Sequence, residues 1–192
     1  MPTGNVTDVI DGVTATCIDA GNPCVFIEAE SVGIDGTILP DAIDSHPTLH
    51  PKLESIRRKA SVAMGISTNE DTTPSSIPKI TMVSRSKSHL LLSGEILDGD
   101  KVDVVLRALS VGQPHRAVPI TVAMATAAAA NLEGSVVHRN VCKERVNVDG
   151  ITIGHSSGMI MMGAKFDKEG HLVNATVFRT ARRLMDGIVY YK

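Results

Sequence analysis

The chain is poor in aromatic residues and in net charge, and each shortage excludes a class of protein. It has no Trp, two Tyr and three Phe in 192 residues, so its core must be built from aliphatic residues and Met. The net charge of −2, without a basic stripe interleaved with aromatics, argues against a nucleic-acid partner. No apolar run approaches the length of a membrane span, and the first residues lack a signal-peptide pattern, so no membrane association is expected.

Cysteine is also scarce. Cys17, Cys24 and Cys142 make an odd number at spacings that suit no metal site, which favours a reducing compartment without disulfides and predicts a cytoplasmic protein. The hydrophobic content of 43% is ordinary for a globular protein, and the chain is long enough to bury a core. We therefore predict a single domain over residues 1–192.

The spacing of apolar residues predicts an α+β domain. Two β-prone runs flank Gly21-Asn22-Pro23 and predict strands joined at a sharp corner, because Gly can take positive φ and a residue before Pro avoids the helical region. Apolar residues recur at helical spacing from Leu49 to Met64, and Pro119 opens an alanine-rich helix that ends near Asn131. Further strands are predicted at 78–83, 102–110, 146–149, 159–162, 173–178 and 187–191, with a hairpin around 98–100.

The corner formed by Gly21, Asn22 and Pro23 is the first candidate site. An Asn side chain at its apex, beside free backbone N–H groups, is suited to receive a carboxylate. The alternative is a structural turn, because Gly-Asn-Pro is common in loops.

The loop before the alanine-rich helix is the second candidate site. The N-terminus of a helix has unpaired N–H groups and the positive end of the helix dipole, so it attracts carboxylates. His115 and Arg116 lie just before this helix, and Thr121 lies in its first turn. The alternative is that Arg116 pairs with a surface acid and Thr121 only helps the helix to start.

Two further segments carry candidate ligands for an anion. In the segment 153–158, glycines bracket His155, Ser156 and Ser157, so this turn, closed by Gly158, is either an anion-binding nest or a hairpin loop. Arg179 follows a β-prone run and could hold a carboxylate with two hydrogen bonds, with Thr180 beside it.

Four motifs, taken in order, resemble the C-terminal half of the 2-methylaconitate isomerase (PrpF-type) family. They are the Gly21–Pro23 corner, Gly112-Gln-Pro-His-Arg-Ala-Val-Pro119, Ile153-Gly-His-Ser-Ser-Gly158 and Phe178-Arg-Thr-Ala-Arg-Arg-Leu-Met-Asp-Gly187, and the likeness runs from Pro2-Thr-Gly-Asn5 to the last residue. The resemblance implies one half of a diaminopimelate-epimerase-like fold, with strands curled around a central alanine-rich helix. It also implies a cofactor-independent, metal-independent proton transfer that moves or reorients a C=C bond in aconitate-like di- and tricarboxylates.

The chain departs from the family pattern at the acid and base. The family's catalytic Lys and Cys lie in the N-terminal half, to which nothing here corresponds, and Pro119 stands where related amino-acid epimerases have a second Cys. The resemblance therefore implies a truncated chain that works as a homodimer or with a complementary N-terminal half. Cys24, His115 and His155 are the remaining candidates for acid or base. The alternative is a non-catalytic domain, either a truncated product or a small-acid-binding module.

Overall fold

The computed structural model describes residues 1–179 and 182–191. Four α-helices are found in these residues: α1 (Pro40–Asp44), α2 (Leu49–Ala63), α3 (Ile120–Ala130) and α4 (Val136–Asn140). The strands are β1 (Asp8–Ile10), β2 (Val13–Asp19), β3 (Pro23–Glu28), β4 (Lys79–Arg85), β5 (His89–Leu90), β6 (Ile96–Leu97), β7 (Val104–Ser110), β8 (Gln113–Pro114), β9 (Ile151–His155), β10 (Gly158–Phe166) and β11 (Leu172–Phe178).

Nine of the described strands form one mixed sheet in the order β1-β2-β3-β4-β7-β9-β10-β11, with β8 paired to β7. Most neighbours are antiparallel, but β3 runs parallel to β4 and β7 runs parallel to β9. Because a parallel pair needs a long crossover connection, a helix lies in each one: α2 between β3 and β4, and α3 between β7 and β9. The remaining strands, β5 and β6, form a small separate hairpin.

The sheet carries a hydrophobic core on each face. Alternate residues of a strand point to opposite faces, so Phe26 packs with α3 in one core whereas its neighbour Val25 packs with α2 in the other. The predicted alanine-rich helix is confirmed as α3, and its alanines from 123 to 130 are all buried. Such a slim helix, apolar all round, fits inside a layer of strands. The α+β class and the central helix are thus as predicted.

Three local predictions were wrong. The hairpin was predicted around 98–100, but its turn lies at residues 91–95, where Gly94 has φ of +87°. Residues 99–101 instead form a 3₁₀ turn, in which the Asp98 side chain accepts a hydrogen bond from the Asp100 N–H. Residues 146–149 form no strand, because the Val146 N–H donates to the buried Asp103 carboxylate at 2.8 Å. Residues 187–191 lie outside every strand described, since β-prone residues need a neighbouring strand for their backbone groups.

No helix in the described ranges has both the length and the apolar character needed to cross a membrane.

Candidate carboxylate-binding site

The Gly21–Pro23 corner rests on the first turn of α3. Asn22 Nδ2 donates to Thr121 Oγ1 at 3.3 Å, a contact between residues 99 positions apart. Gly21 has φ of +91°, and a Cβ placed on it would lie 3.9 Å from the Met124 methyl group. The fold therefore brings together the first two predicted candidates.

The N-terminus of α3 has no side-chain cap among the described residues. Pro119 precedes the helix with extended backbone. Thr121 accepts a hydrogen bond from Asn22, so its own hydroxyl proton is free to point elsewhere. The first turn, in which Ile120 is exposed and Thr121 half-buried, thus offers backbone N–H groups, a hydroxyl donor and the positive end of the helix dipole, all of which favour an anion.

The turn between β9 and β10 is tied to the loop that precedes α3. Ser157 Oγ donates to the Arg116 carbonyl at 2.7 Å, so the second and third candidate segments also meet. Ser156 lies deeper: it is 1% exposed, and its Oγ has no hydrogen-bond partner in the described part of the chain. Gly158 closes the turn with φ of +137°, a conformation that suits glycine.

His155 is a neutral hydrogen-bond donor at neutral pH. Burial, together with the nearby charges of Arg107 and His89, lowers the pKa of its imidazole to about 4. The His155 Nδ1 accepts from the Ser157 N–H at 3.2 Å, so the neutral ring carries its proton on Nε2. Nε2–H can donate to an oxyanion, but this tautomer is a poor base.

Arg107 is a buried cation that sequence reasoning missed. It is 2% exposed, and its guanidinium donates to the carbonyls of Thr37 and Ile38 at 2.9 and 2.5 Å and to that of its neighbour Leu106. Burial lowers the pKa of Arg107 only to about 10, with the Asp35 carboxylate opposing the shift, so the guanidinium stays positive. The only sequence signal was an arginine inside a strongly apolar strand.

His115 and Arg116 differ in how firmly they are held. His115 Nε2 is hydrogen-bonded to Ser110 Oγ at 2.8 Å, and burial together with the charge of Lys79 lowers its pKa. This contact gives His115 a structural role at the β7–β8 hairpin. The Arg116 guanidinium is exposed and lies 4.0 Å from the exposed Asp41, the surface pairing anticipated as its alternative role.

Arg179 shares a cleft with His155. The cleft has a volume of about 660 Å³, and its polar walls include Lys101 and Thr152 as well as these two residues. Ala117, in the loop before α3, also lines this cleft. The end of β11, the end of β9 and the loop before α3 therefore border one cleft. Thr180, predicted beside Arg179, lies outside the described residues.

The sequence matches the PrpF protein family from residue 1 to residue 192. The chain belongs to the PrpF family. It is 33% identical to a 3-methylitaconate isomerase of Eubacterium barkeri over 99% of this chain and 52% of the relative. It is 36% identical to a 2-methyl-aconitate isomerase of Shewanella oneidensis over 98% of this chain and 50% of the relative.

A solved structure agrees with this assignment. The crystal structure of a methylitaconate-delta-isomerase superposes with a TM-score of 0.87 at 31% identity, covering 97% of this chain and 50% of that one. The PrpF-family chain therefore has a diaminopimelate-epimerase-like fold. It spans about half the length of the relatives that it matches.

The cysteine nearest the site in this PrpF-family chain is poorly placed for acid–base chemistry. Cys24 follows the Gly21–Pro23 corner, but its side chain is fully buried and packs in the core that contains α3. Burial raises the pKa of the Cys24 thiol to about 12, so at neutral pH it is protonated and unreactive. This environment argues against a catalytic role for Cys24.

Proposed function

We propose that this chain supplies the carboxylate-binding wall of a PrpF-type isomerase that acts on small unsaturated di- and tricarboxylates. The observation that carries the proposal is the uncapped first turn of α3, where Asn22 holds Thr121 and leaves its hydroxyl proton free. The named relatives support the reaction class, since they are isomerases of 3-methylitaconate and 2-methyl-aconitate.

The reaction would be a cofactor-independent proton transfer. A base removes a proton from a carbon next to a carboxylate, the electron pair shifts through the C=C bond, and an acid returns a proton to another carbon. Negative charge builds up on the carboxylate oxygens in between, and fixed donors stabilise it. In our proposal these donors are the N–H groups of the first turn of α3, the Thr121 hydroxyl and His155 Nε2–H, with Arg116 and Arg179 at the rim.

The base would come from a complementary half of the enzyme. The Cys24 thiol is protonated at neutral pH, and the neutral His155 presents N–H rather than a lone pair. These properties suit a wall that binds and orients the substrate, while the base and the acid must reach the carbon that loses the proton and the carbon that gains one. The same properties also support the second candidate function, a non-catalytic small-acid-binding domain.

Two measurements test the proposal. Isothermal titration calorimetry of the chain with trans-aconitate measures binding, and NMR of aconitate and methylitaconate in D₂O measures proton exchange. We expect binding by the chain alone. We expect exchange only after co-expression with the half of the Shewanella oneidensis relative that this chain does not match.

Each outcome has a defined meaning. Absence of binding, in protein with native circular dichroism, would overturn the proposal. Exchange by the chain alone would show that it holds its own base, and His155 would be tested first. Binding without exchange in either sample would favour the small-acid-binding domain.

A further inference from the structure

A cavity of about 340 Å³ lies between α2 and the β7–β8 turn, on the face of the sheet opposite α3. Its volume falls within the range of about 300–1,000 Å³ that is typical of pockets for small molecules. The residues that shape it come from α2, β4, β7 and the β7–β8 turn: Pro51, Leu53, Ile80, Leu109, Ser110 and Gly112. None of the described residues of the candidate carboxylate-binding site lines it. Hereafter we call it the α2 cavity.

The floor of the α2 cavity is apolar. Leu53 of α2, Ile80 of β4 and Leu109 of β7 are 1–3% exposed and pack in the same hydrophobic core. Water against such side chains has few hydrogen-bond partners, so an apolar molecule that displaces it is favoured. The floor therefore suits a ligand with an apolar body.

The ion pair beside the α2 cavity is already complete. Arg57 donates to both carboxylate oxygens of Glu54 at 2.7 and 2.8 Å, and to the carbonyls of Pro74 and Ile77 at 2.7 and 3.0 Å. These bonds use four of its five N–H groups. The hydrogen bonds from Arg57 lower the pKa of Glu54 to about 2, so the pair is ionised at neutral pH. A charged ligand would lose its hydration here without gaining an unpaired counter-charge from this pair, which is costly.

The surroundings of the α2 cavity favour a free small molecule over a protein partner. A stable protein interface buries about 800 Å² on each side and has a broad apolar centre. Here the large apolar side chains lie at the floor, whereas Ser75 and Gly112 at the mouth are exposed. His50, which also lines the cavity, is bonded to the exposed Asp44 at 3.1 Å. The apolar surface is thus deep and narrow.

The α2 cavity and the candidate carboxylate-binding site share the β7–β8 turn. Ser110 and Gly112 line the cavity, and Ser110 Oγ is hydrogen-bonded to His115 Nε2 at 2.8 Å. His115 is followed by Arg116, whose carbonyl accepts from Ser157. A molecule in the cavity therefore contacts the turn that leads into the loop before α3.

We propose that the α2 cavity is a second binding site, which takes a small uncharged molecule with an aromatic or branched aliphatic body. The floor supplies apolar contacts, the completed ion pair selects against a charged ligand, and the polar mouth selects against a broad protein surface. This site is separate from the carboxylate-binding wall, and the inference does not depend on the proposed function.

The experiment is a titration of the isotope-labelled chain with benzyl alcohol, followed by amide NMR. We expect saturable shifts of the amide signals of Leu53, Leu109 and Gly112, which extend to His115 through the shared turn. Benzoate, a charged molecule of similar size, should bind at least about 10-fold more weakly because its carboxylate must lose water.

A pair of neighbouring serines provides the variants. Ser75→Trp places a large side chain at the mouth and should weaken binding of benzyl alcohol at least 10-fold. Ser76→Trp, at an exposed serine that does not line the cavity, is the matched control and should leave the affinity within twofold. The amide spectrum of each variant shows whether it is folded. The position of the shifts and the comparison with benzoate test the inference in the unmodified chain, even where a variant does not fold.

Four results would overturn the inference. The shifts could fail to saturate or could centre on residues away from the cavity, or benzoate could bind as tightly as benzyl alcohol. Equal affinities of folded Ser75→Trp and Ser76→Trp would place the ligand elsewhere. Self-association of the chain that Ser75→Trp abolishes would make a second copy the occupant.

Discussion

In the proposed site, Asn22 and Thr121 would determine the charge next to a bound carboxylate. Asn22 is neutral and donates to Thr121, while the Asn22 Oδ1 is buried and has no hydrogen-bond partner among the described residues. A neutral amide at this position leaves the positive end of the helix dipole uncompensated. In the proposed site, anion binding would therefore depend on the lack of charge at Asn22 as much as on the donors around it.

Asn22→Asp is expected to weaken binding of trans-aconitate. The new carboxylate would lie beside the N-terminus of α3, compete for its N–H groups and repel the ligand. The loss of one hydrogen bond to a charged group is about 1.5–3 kcal/mol, which corresponds to a roughly 10- to 100-fold weaker affinity by calorimetry. Asn174→Asp, which adds the same charge on the exposed strand β11, is the control. Equal affinities for both variants would place the anion elsewhere.

His155 is expected to make folding stability fall in mild acid. Its pKa is about 4 in the folded chain and 6.5 in its ordinary state, so protons bind the unfolded chain preferentially between these values. Its contribution is complete above about pH 6.5 and is lost as the pH falls toward 4. Urea denaturation at several pH values measures this slope. His155→Gln should reduce it and His171→Gln, at an exposed turn, should not. An unchanged slope in His155→Gln would contradict the assignment.

The side chains of the site were predictable to the extent that their cues are local. Asn22 and Thr121 follow from a corner and a helix start, each readable within a few residues. Arg107 could not be found in this way, because its acceptors Thr37 and Ile38 are 70 and 69 positions away and are carbonyl groups of ordinary loop residues. A buried cation held by backbone carbonyls leaves no pattern in side-chain types.

Among the strands, the β7–β8 hairpin contains a strained turn. Val111 has φ of +53° and Gly112 has φ of +69°, and the same pair of conformations joins β1 to β2 at Asp11 and Gly12. Asp–Gly suits such a turn, but a β-branched residue there is unfavourable. Val111 is 60% exposed, so little packing offsets the strain.

Val111→Asn is therefore expected to stabilise the fold. Left-handed backbone costs a residue with a Cβ about 1–2 kcal/mol, and Asn tolerates it better than most, so we expect a gain of about 1 kcal/mol. Urea denaturation measures the free energy of unfolding. Val148→Asn, at an exposed valine, should change it by less than about 0.5 kcal/mol. A destabilised Val111→Asn would show that the exposed side chain makes contacts worth more than the strain.

The helices and strands that the sequence predicted well are those whose own residues carry the signal, such as a repeated spacing of apolar side chains. α2 and α3 follow from helical spacing and from alanine content, and β2 and β3 follow from β-prone runs around one corner. The segment 187–191 has the same local strand signal but no neighbouring strand among the described residues. The prediction placed the hairpin too late in the chain because Asp98-Gly-Asp100 is a typical turn sequence. In the structure this sequence forms a 3₁₀ turn that follows the β5–β6 hairpin.

At the scale of the whole molecule, the two larger hydrophobic cores of the described residues lie on opposite faces of one sheet. Leu53 of α2 is 1% exposed and packs on the face opposite α3. Leu53→Ala is expected to lower the free energy of unfolding by about 2–5 kcal/mol, because it leaves a cavity. The affinity for trans-aconitate should stay within about twofold, since the site lies at the start of α3. A large loss of affinity in folded protein would show that the two faces are coupled.

The parallel pairing of β7 with β9 has a consequence for how the chain folds during synthesis. β7 pairs with β4, which precedes it, but its other long neighbour is β9, whose residues 151–155 are made after the whole of α3. The central strand therefore keeps one edge unpaired until most of the chain has left the ribosome. Pairing across such sequence distances is slow, and unpaired edges aggregate. Expression at low temperature or with chaperones should therefore raise the yield of native protein.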